Sequence, residues 1–433
     1  MKTIHQWALR SLAFSGLISV TLFNSAPANA GNVHHVGPNQ TFQYLQLAIN
    51  ASQDGDLIYV HPGRYYPIQI DNKSISILGF QGGKFEIRQY PGIPAIQVEN
   101  LNSTQTVTIF DTQLKFTDDR SHLVEIHNNS GAVRLKHFEV SFPKSMPHHK
   151  KDSVISVRNT TTAWFADFSA ISQQHGNTAP STLSSILGND ALSIIRADQS
   201  QIIVQRGHIR GFDNDPRQAS GNYAGEAVRL VNSEMFVTEG TYIGGGQARV
   251  GGHAFHRVES SPNASKAFGC GETIYGGGEG FSTHGKKLAI NNDGRVYQGN
   301  SAFDPLVPFC LTSTFSKNLI SSDRISVQGQ ERAEIWSNVA GPRPYDLFIG
   351  ISHYHPSLGS TGIFDGRLAF DFIQPYLKVA SGSAPSVTPL YYLQLPEMVG
   401  MGLTIQTVLK APQTGIPSAQ VSFSIPEMIV ITD

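Results

Sequence analysis

The chain has 433 residues, with 32 Lys and Arg against 33 Asp and Glu and a net charge of -1. That balance gives no electrostatic reason to expect nucleic acid as a partner, and the length allows two to three domains. With 41 Gly and only 15% charged residues, the composition describes many short strands joined by turns.

Residues 1–30 have the pattern of a removable export signal. Lys2 and Arg10 lead, an apolar run over 12–23 follows, and Ala28-Asn29-Ala30 offers small residues for cleavage. The run is short and broken by Ser15, Ser19 and Thr21, which argues against a retained membrane anchor. The mature chain would begin near Gly31, in a secreted or cell-surface setting, and no later stretch is apolar enough to cross a bilayer.

Residues 41–80 predict an amphipathic helical turn (Leu45, Leu47, Ala48, Ile49), a tight reversal at Asp54-Gly55-Asp56 and the apolar strand 57–60. His61-Pro62-Gly63 breaks that strand, and two alternating strands follow at 66–70 and 74–78. A short helix followed by closely spaced strands must stack on something. The matching residues are Ala48, Asp54-Gly55-Asp56, Ile58, Val60, Pro62-Gly63-Arg64-Tyr65, Ile75, Ile77 and Gly79. On these residues the stretch resembles the N-terminal entry of secreted right-handed parallel β-helix proteins, the pectin-lyase-like group.

The unit recurs after Phe80. Strands at 95–100, 123–128, 154–159, 194–198 and 227–232 each end in Asn or Asp, at 100, 128, 159, 198 and 232. Each is followed by a second strand, at 107–109, 133–135, 164–166, 202–204 and 235–237. The turn positions lie 28, 31, 39 and 34 residues apart, one solenoid coil per unit with loops of different length between strands. Asn tolerates the left-handed conformation a sharp bend demands, so its recurrence has a structural cause.

The Gly-rich stretch 253–303 supplies the last coils and long loops, and Pro305, Pro308 and Cys310 mark a boundary. From Ile325 onward longer alternating strands resemble a small antiparallel β-sandwich of the kind appended to exported bacterial proteins. The expected organisation is therefore all-β: signal 1–30, right-handed parallel β-helix 31–303, linker 304–319 and β-sandwich 320–433. An even pair of cysteines, Cys270 and Cys310, favours a disulfide over two buried thiols in an exported chain. Such a bridge would stabilise by roughly 4 kcal/mol.

The most charged insertion is 205–226, QRGHIRGFDNDPRQASGNYAGE. Period two would place Arg206, His208 and Arg210 on one side, with the loop carrying Asp213 and Asp215 folded over it and Tyr223 and Glu226 completing a binding groove. Arg can fix a sugar carboxylate bidentately, and the two aspartates could hold a calcium ion that withdraws charge from it. The plainer alternative is a solvated loop with internal ion pairs. No other cofactor is expected. His148-His149, His253 with His256, and His353 with His355 read as surface or packing histidines rather than metal ligands.

The family resemblance implies two site patterns. Its pectate lyases carry an Arg-containing motif around a Pro, and Arg217 follows Pro216 here, but the second, downstream Arg is missing. The clustered Asp pairs and Gly-His-Gly element of its galacturonan hydrolases are also missing. The leading expectation is therefore a β-helix protein that binds polysaccharide or builds an envelope structure without catalysis. The alternative is a lyase or hydrolase of uronate-type polysaccharide, with Arg217 or Arg210 as base, and a surface adhesin is a third reading.

Overall fold

The computed structural model describes residues 31–117, 121–142, 153–171, 193–212 and 225–237, and beyond them the strand segments between 241 and 432 together with residues 399–401. The signal segment lies outside the described residues. Among the described residues the chain is all-β apart from the helix Leu45–Ala51 and one short helical turn at Phe80–Gly82.

The strands fall into three parallel ladders that the chain visits in turn. The first runs from Val33–Val36 through Leu57–Val60, Ser76–Gly79 and Thr106–Phe110, along parts of the long strands Val124–Lys136, Ser153–Ile171 and Gln201–Arg210, to Glu234–Val237, Lys266–Gly269 and Val307–Pro308. The second begins at Arg64–Tyr65, Phe85–Arg88, Thr112–Lys115 and Glu139–Ser141. The third begins at Ile68–Asp71 and Ile96–Glu99 and includes Ser193–Asp198 and Glu226–Val231. Each ladder is parallel, and successive visits bring the same position of each coil into register, an arrangement compatible with a β-helix. The last described strand of the first ladder, Val307–Pro308, falls inside the segment 304–319.

Register explains the core. On the first ladder Ile58, Ile77, Ile109, Leu135, Phe165, Val204 and Val237 stand one above another. On the third, Ile70, Val98, Ile126, Val157, Ala197 and Leu230 do the same. All are buried in one continuous cluster. Like shapes stack without voids, and each large aliphatic buried this way contributes ~2 kcal/mol.

The helix closes the N-terminal end of this core with Leu45, Ala48 and Ile49. Its last carbonyls are held by Lys73, whose Nζ donates to Ile49 O, Asn50 O and Ser52 O at 2.8, 2.9 and 2.8 Å. Below it the Asp54-Gly55-Asp56 reversal is pinned from both sides. Asp54 accepts from Ser74 N and Gln105 Nε2, and buried Asp56 accepts from Asn32 N and Gln53 N and meets His34 Nε2.

Between the third and first ladders the bend falls at Asn72, Asn100, Asn128, Asn159 and Asn232, all with positive φ. One expected bend is displaced: Gln199, with φ 48°, takes the turn and not Asp198. Asp198 stays in register with Arg158 and Val231 and receives Arg196 at 2.9 Å, which keeps it in the strand.

After residue 317 the strands leave the ladders. Asn318–Ile320, Arg332–Ile335 and Ser386–Pro389 form an antiparallel sheet. A second sheet has Arg343–Gly350 between Tyr376–Ala384 and Gly402–Leu409. It continues antiparallel to Glu427–Thr432 and Val421–Phe423, but Arg324–Ser326 and Phe364–Asp365 join it by parallel pairing, so the tail is mixed rather than wholly antiparallel.

This second sheet lies on the outer face of the first ladder. Val399, Met428 and Val430 cover Leu57, Tyr59, Leu78, Phe110, Trp164, Ile203 and Phe236 in a second apolar cluster. The fit is close enough that a Cβ on Gly400 would stand 2.3 Å from Gly55 O. Arg134 is fully buried under this sheet, and loss of water pulls its guanidinium down to about 9. The outer face of the first ladder is therefore covered at these residues.

Candidate binding face on the third ladder

The outer face of the third ladder carries two polar columns. Gln69, Gln97, Glu125, Ser156, Arg196 and Arg229 form one; Asp71, Glu99, His127, Arg158 and Asp198 form the other. Strand alternation puts them outward because their neighbours fill the core. The second column runs acid, acid, base, base, acid. His127 Nε2 is 3.3 Å from Glu99 Oε2, and Arg158 Nε is 3.8 Å from Asp198 Oδ2.

Where the columns change sign there is a cavity of about 260 Å³, lined by Glu125, Ile126, His127, Asn128, Ser156, Arg158 and Asn159. Two of its groups matter chemically. The Glu125 side chain makes no hydrogen bond or ion pair among the described residues, so its carboxylate oxygens are available to accept from hydroxyls. Arg158, with a side chain 48% exposed, offers a guanidinium fork suited to a carboxylate.

Arg158 is aimed from below. His122 is buried, and its Nδ1 lies 2.7 Å from Ser153 O, so that nitrogen carries the proton and donates to the carbonyl. Nε2 is then left as an acceptor, and Arg158 Nη2 donates to it at 3.4 Å. A buried imidazole fixed by Ser153 thus steers the guanidinium.

The insertion singled out from sequence is placed differently. His208 and Arg210 do face outward on the second ladder. Arg206 does not join them, because it sits at φ 48° in the bend before that strand and the alternation restarts after it. Its guanidinium turns along the coil axis to Asp167, with Nε and Nη2 donating at 2.5 and 2.8 Å. Partial desolvation, and then the Arg210 cation, hold the His208 imidazole below its ordinary value. Glu226 is in the third ladder and 4% exposed, a buried position rather than part of an open groove. Asp213, Asp215, Arg217 and Tyr223 lie outside the described residues, as do Cys270 and Cys310 and five of the six histidines named above. The sixth, His256, is in the strand Phe255–Val258. Among the described residues no group of His, Cys, Asp and Glu is arranged to hold a metal ion, and no helix is long and apolar enough to cross a membrane.

Sequence reasoning missed Glu125, His127, Ser156 and Arg158, although all four fall on strands it identified. The signal was the run of polar outward positions just ahead of Asn128 and Asn159. Comparison with protein-family models, curated proteins and solved structures gave no match.

Proposed function

We propose that the protein is an exported right-handed parallel β-helix of pectin-lyase-like form, with a β-sandwich tail, that binds acidic polysaccharide outside the cell without cleaving it. The observation that supports this best is the third-ladder cavity, where an unengaged carboxylate and a steered guanidinium line one opening on a rigid, solvent-facing sheet. A uronate residue matches both groups: Arg158 takes its carboxylate and Glu125 accepts from its ring hydroxyls. Non-catalytic binding is favoured because the lyase and hydrolase residue sets of the resembled family are incomplete in this sequence.

Affinity electrophoresis through gels containing polygalacturonate or alginate tests the reading, with mass spectrometry of the polymer afterwards. Retarded migration with intact polymer is the expected result. Unsaturated oligosaccharides would establish a lyase instead, saturated ones a hydrolase, and unretarded migration in every gel would remove the glycan reading.

A further inference from the structure

Five large apolar side chains stand out as exposed among the described residues: Tyr44 at 51%, Leu47 at 52%, Tyr66 at 56%, Tyr90 at 42% and Ile93 at 53%. All five fall between residues 44 and 93, at the helix-capped end, so they form a zone and are not scattered. Within it three tyrosines are arranged in series. Tyr44 and Tyr66 have ring centroids 6.1 Å apart, and Tyr66 and Tyr90 are 5.4 Å apart.

The series follows from the coil. Tyr66 comes directly after the second-ladder strand Arg64–Tyr65, and Tyr90 shortly after Phe85–Arg88, which pairs with it. Both tyrosines therefore mark the corner where the chain leaves the second ladder for the third. The register that sets Tyr65 opposite Ile87 puts Tyr90 two positions past the residue level with Tyr66, so the two rings meet at a tilt across the corner, and Tyr44 extends the row beside the capping helix. Desolvation first, and then the hydrogen bond the Tyr90 phenol gives to Tyr66, raise that phenol above its ordinary value.

We propose that this tyrosine row is a stacking platform for the sugar rings of a polysaccharide laid along the coil axis. The proposal rests on the glycan-binding reading above and extends it to a second place of contact. The axial C–H face of a pyranose is apolar and packs on an aromatic face, while the phenol hydroxyls reach the sugar's rim. One pyranose is comparable in length to one coil's rise, so consecutive sugars can meet consecutive rings.

The surroundings favour a sugar over an apolar protein segment. Beside the row, amides and carboxylates are already organised: Gln46 Nε2 donates to Asn50 Oδ1 and to Gln69 O, and Gln69 Nε2 donates to Glu99 Oε1. The column Gln69, Gln97, Glu125 then leads in strict register from the row's edge to the cavity. Glu125 lies one coil beyond the coil of Tyr90 and two beyond that of Tyr66.

Titration calorimetry with a long and a short oligogalacturonate separates the possibilities, using wild type, the Tyr66→Ala/Tyr90→Ala double variant and the Tyr66→Phe/Tyr90→Phe control. A short oligomer reaches only the cavity, so its affinity is expected to be the same for all three. Long-oligomer affinity is expected to fall about tenfold in the alanine variant and to be retained in the phenylalanine control. Equal long-oligomer affinity in wild type and alanine variant overturns the platform while leaving the cavity reading intact. Failure of wild type to bind either length overturns both. Light scattering in the same buffers covers the remaining occupant: a wild-type dimer that the alanine substitutions dissociate makes the row a self-association surface and overturns the platform.

Discussion

Arg324 donates through Nη2 to the carboxylate of Asp111, although 213 positions separate them in the chain, and through Nη1 to Gly79 O at 2.9 Å. Asp111 is the end of a stacked row of bends. His137 Nδ1 lies 3.3 Å from it, the same ring's Nε2 is 3.7 Å from Asp167, and Asp167 holds Arg206. Asp111, His137, Asp167 and Arg206 all have positive φ, so these successive bends fall on ionisable residues. These side-chain contacts tie successive coils together, and Arg324 fastens the tail to the Asp111 end of the row.

Acid should loosen this row. Burial alone would raise the Asp167 carboxyl, but the bond and charge of Arg206, with Lys136 and His137, outweigh it and hold the group below its ordinary value. A carboxyl depressed in the folded state contributes stability that is present above its unfolded value, ~4, and lost as pH falls through the lower folded one. Thermal melts should show Tm declining below about pH 4 in wild type, with a shallower decline in Asp167→Asn. At pH 7 that variant should be less stable by ~1 kcal/mol. Parallel pH profiles for the two proteins would contradict this assignment.

Gly400 is the point where the tail tolerates no side chain. Its φ of +88° is strained for any other residue, and a Cβ would run into Gly55 O. Gly400→Ala is expected to cost about 2–3 kcal/mol through strain and lost docking. Limited proteolysis should then cut the tail at protease levels that leave wild type whole, and unchanged resistance would count against the close packing described.

Lys73→Met removes the ammonium that satisfies three carbonyls at the helix end. A loss of about 1–2 kcal/mol is expected, with faster hydrogen exchange at amides of Leu45–Ala51 before the rest of the ladders. Exchange rates equal to wild type would mean that water replaces the lysine without cost.

Gln199 holds a left-handed bend that Asn occupies on neighbouring coils. Gln199→Asn should therefore stabilise, by about 0.5 kcal/mol, read as a higher urea midpoint. A lower midpoint would show that the Gln side chain contributes more than its backbone strain costs.

These cases mark what was legible in the sequence. The period-two aliphatic strands and the Asn bends at 100, 128, 159 and 232 were readable because each expresses a local backbone or burial demand. The bend at 199 was not, because Arg196 keeps Asp198 in its strand through a side-chain pairing that spacing does not reveal. Nor was the cavity, since Glu125 meets Ser156, and His127 meets Arg158, only through register fixed between coils. The bends at Asp111, His137, Asp167 and Arg206 carry no Asn, and their partner Arg324 comes from the tail, so no local pattern announces them.

The most direct test of the account is the calorimetric affinity of polygalacturonate for wild type and Arg158→Gln at low and high salt. Wild type is expected to bind, and its binding to weaken with salt, as a partly exposed ion pair must. Affinity in the variant is expected to fall about tenfold or more at low salt, because the remaining amide cannot fork onto a carboxylate. Equal affinity of the two proteins would contradict the placement of the uronate in this cavity.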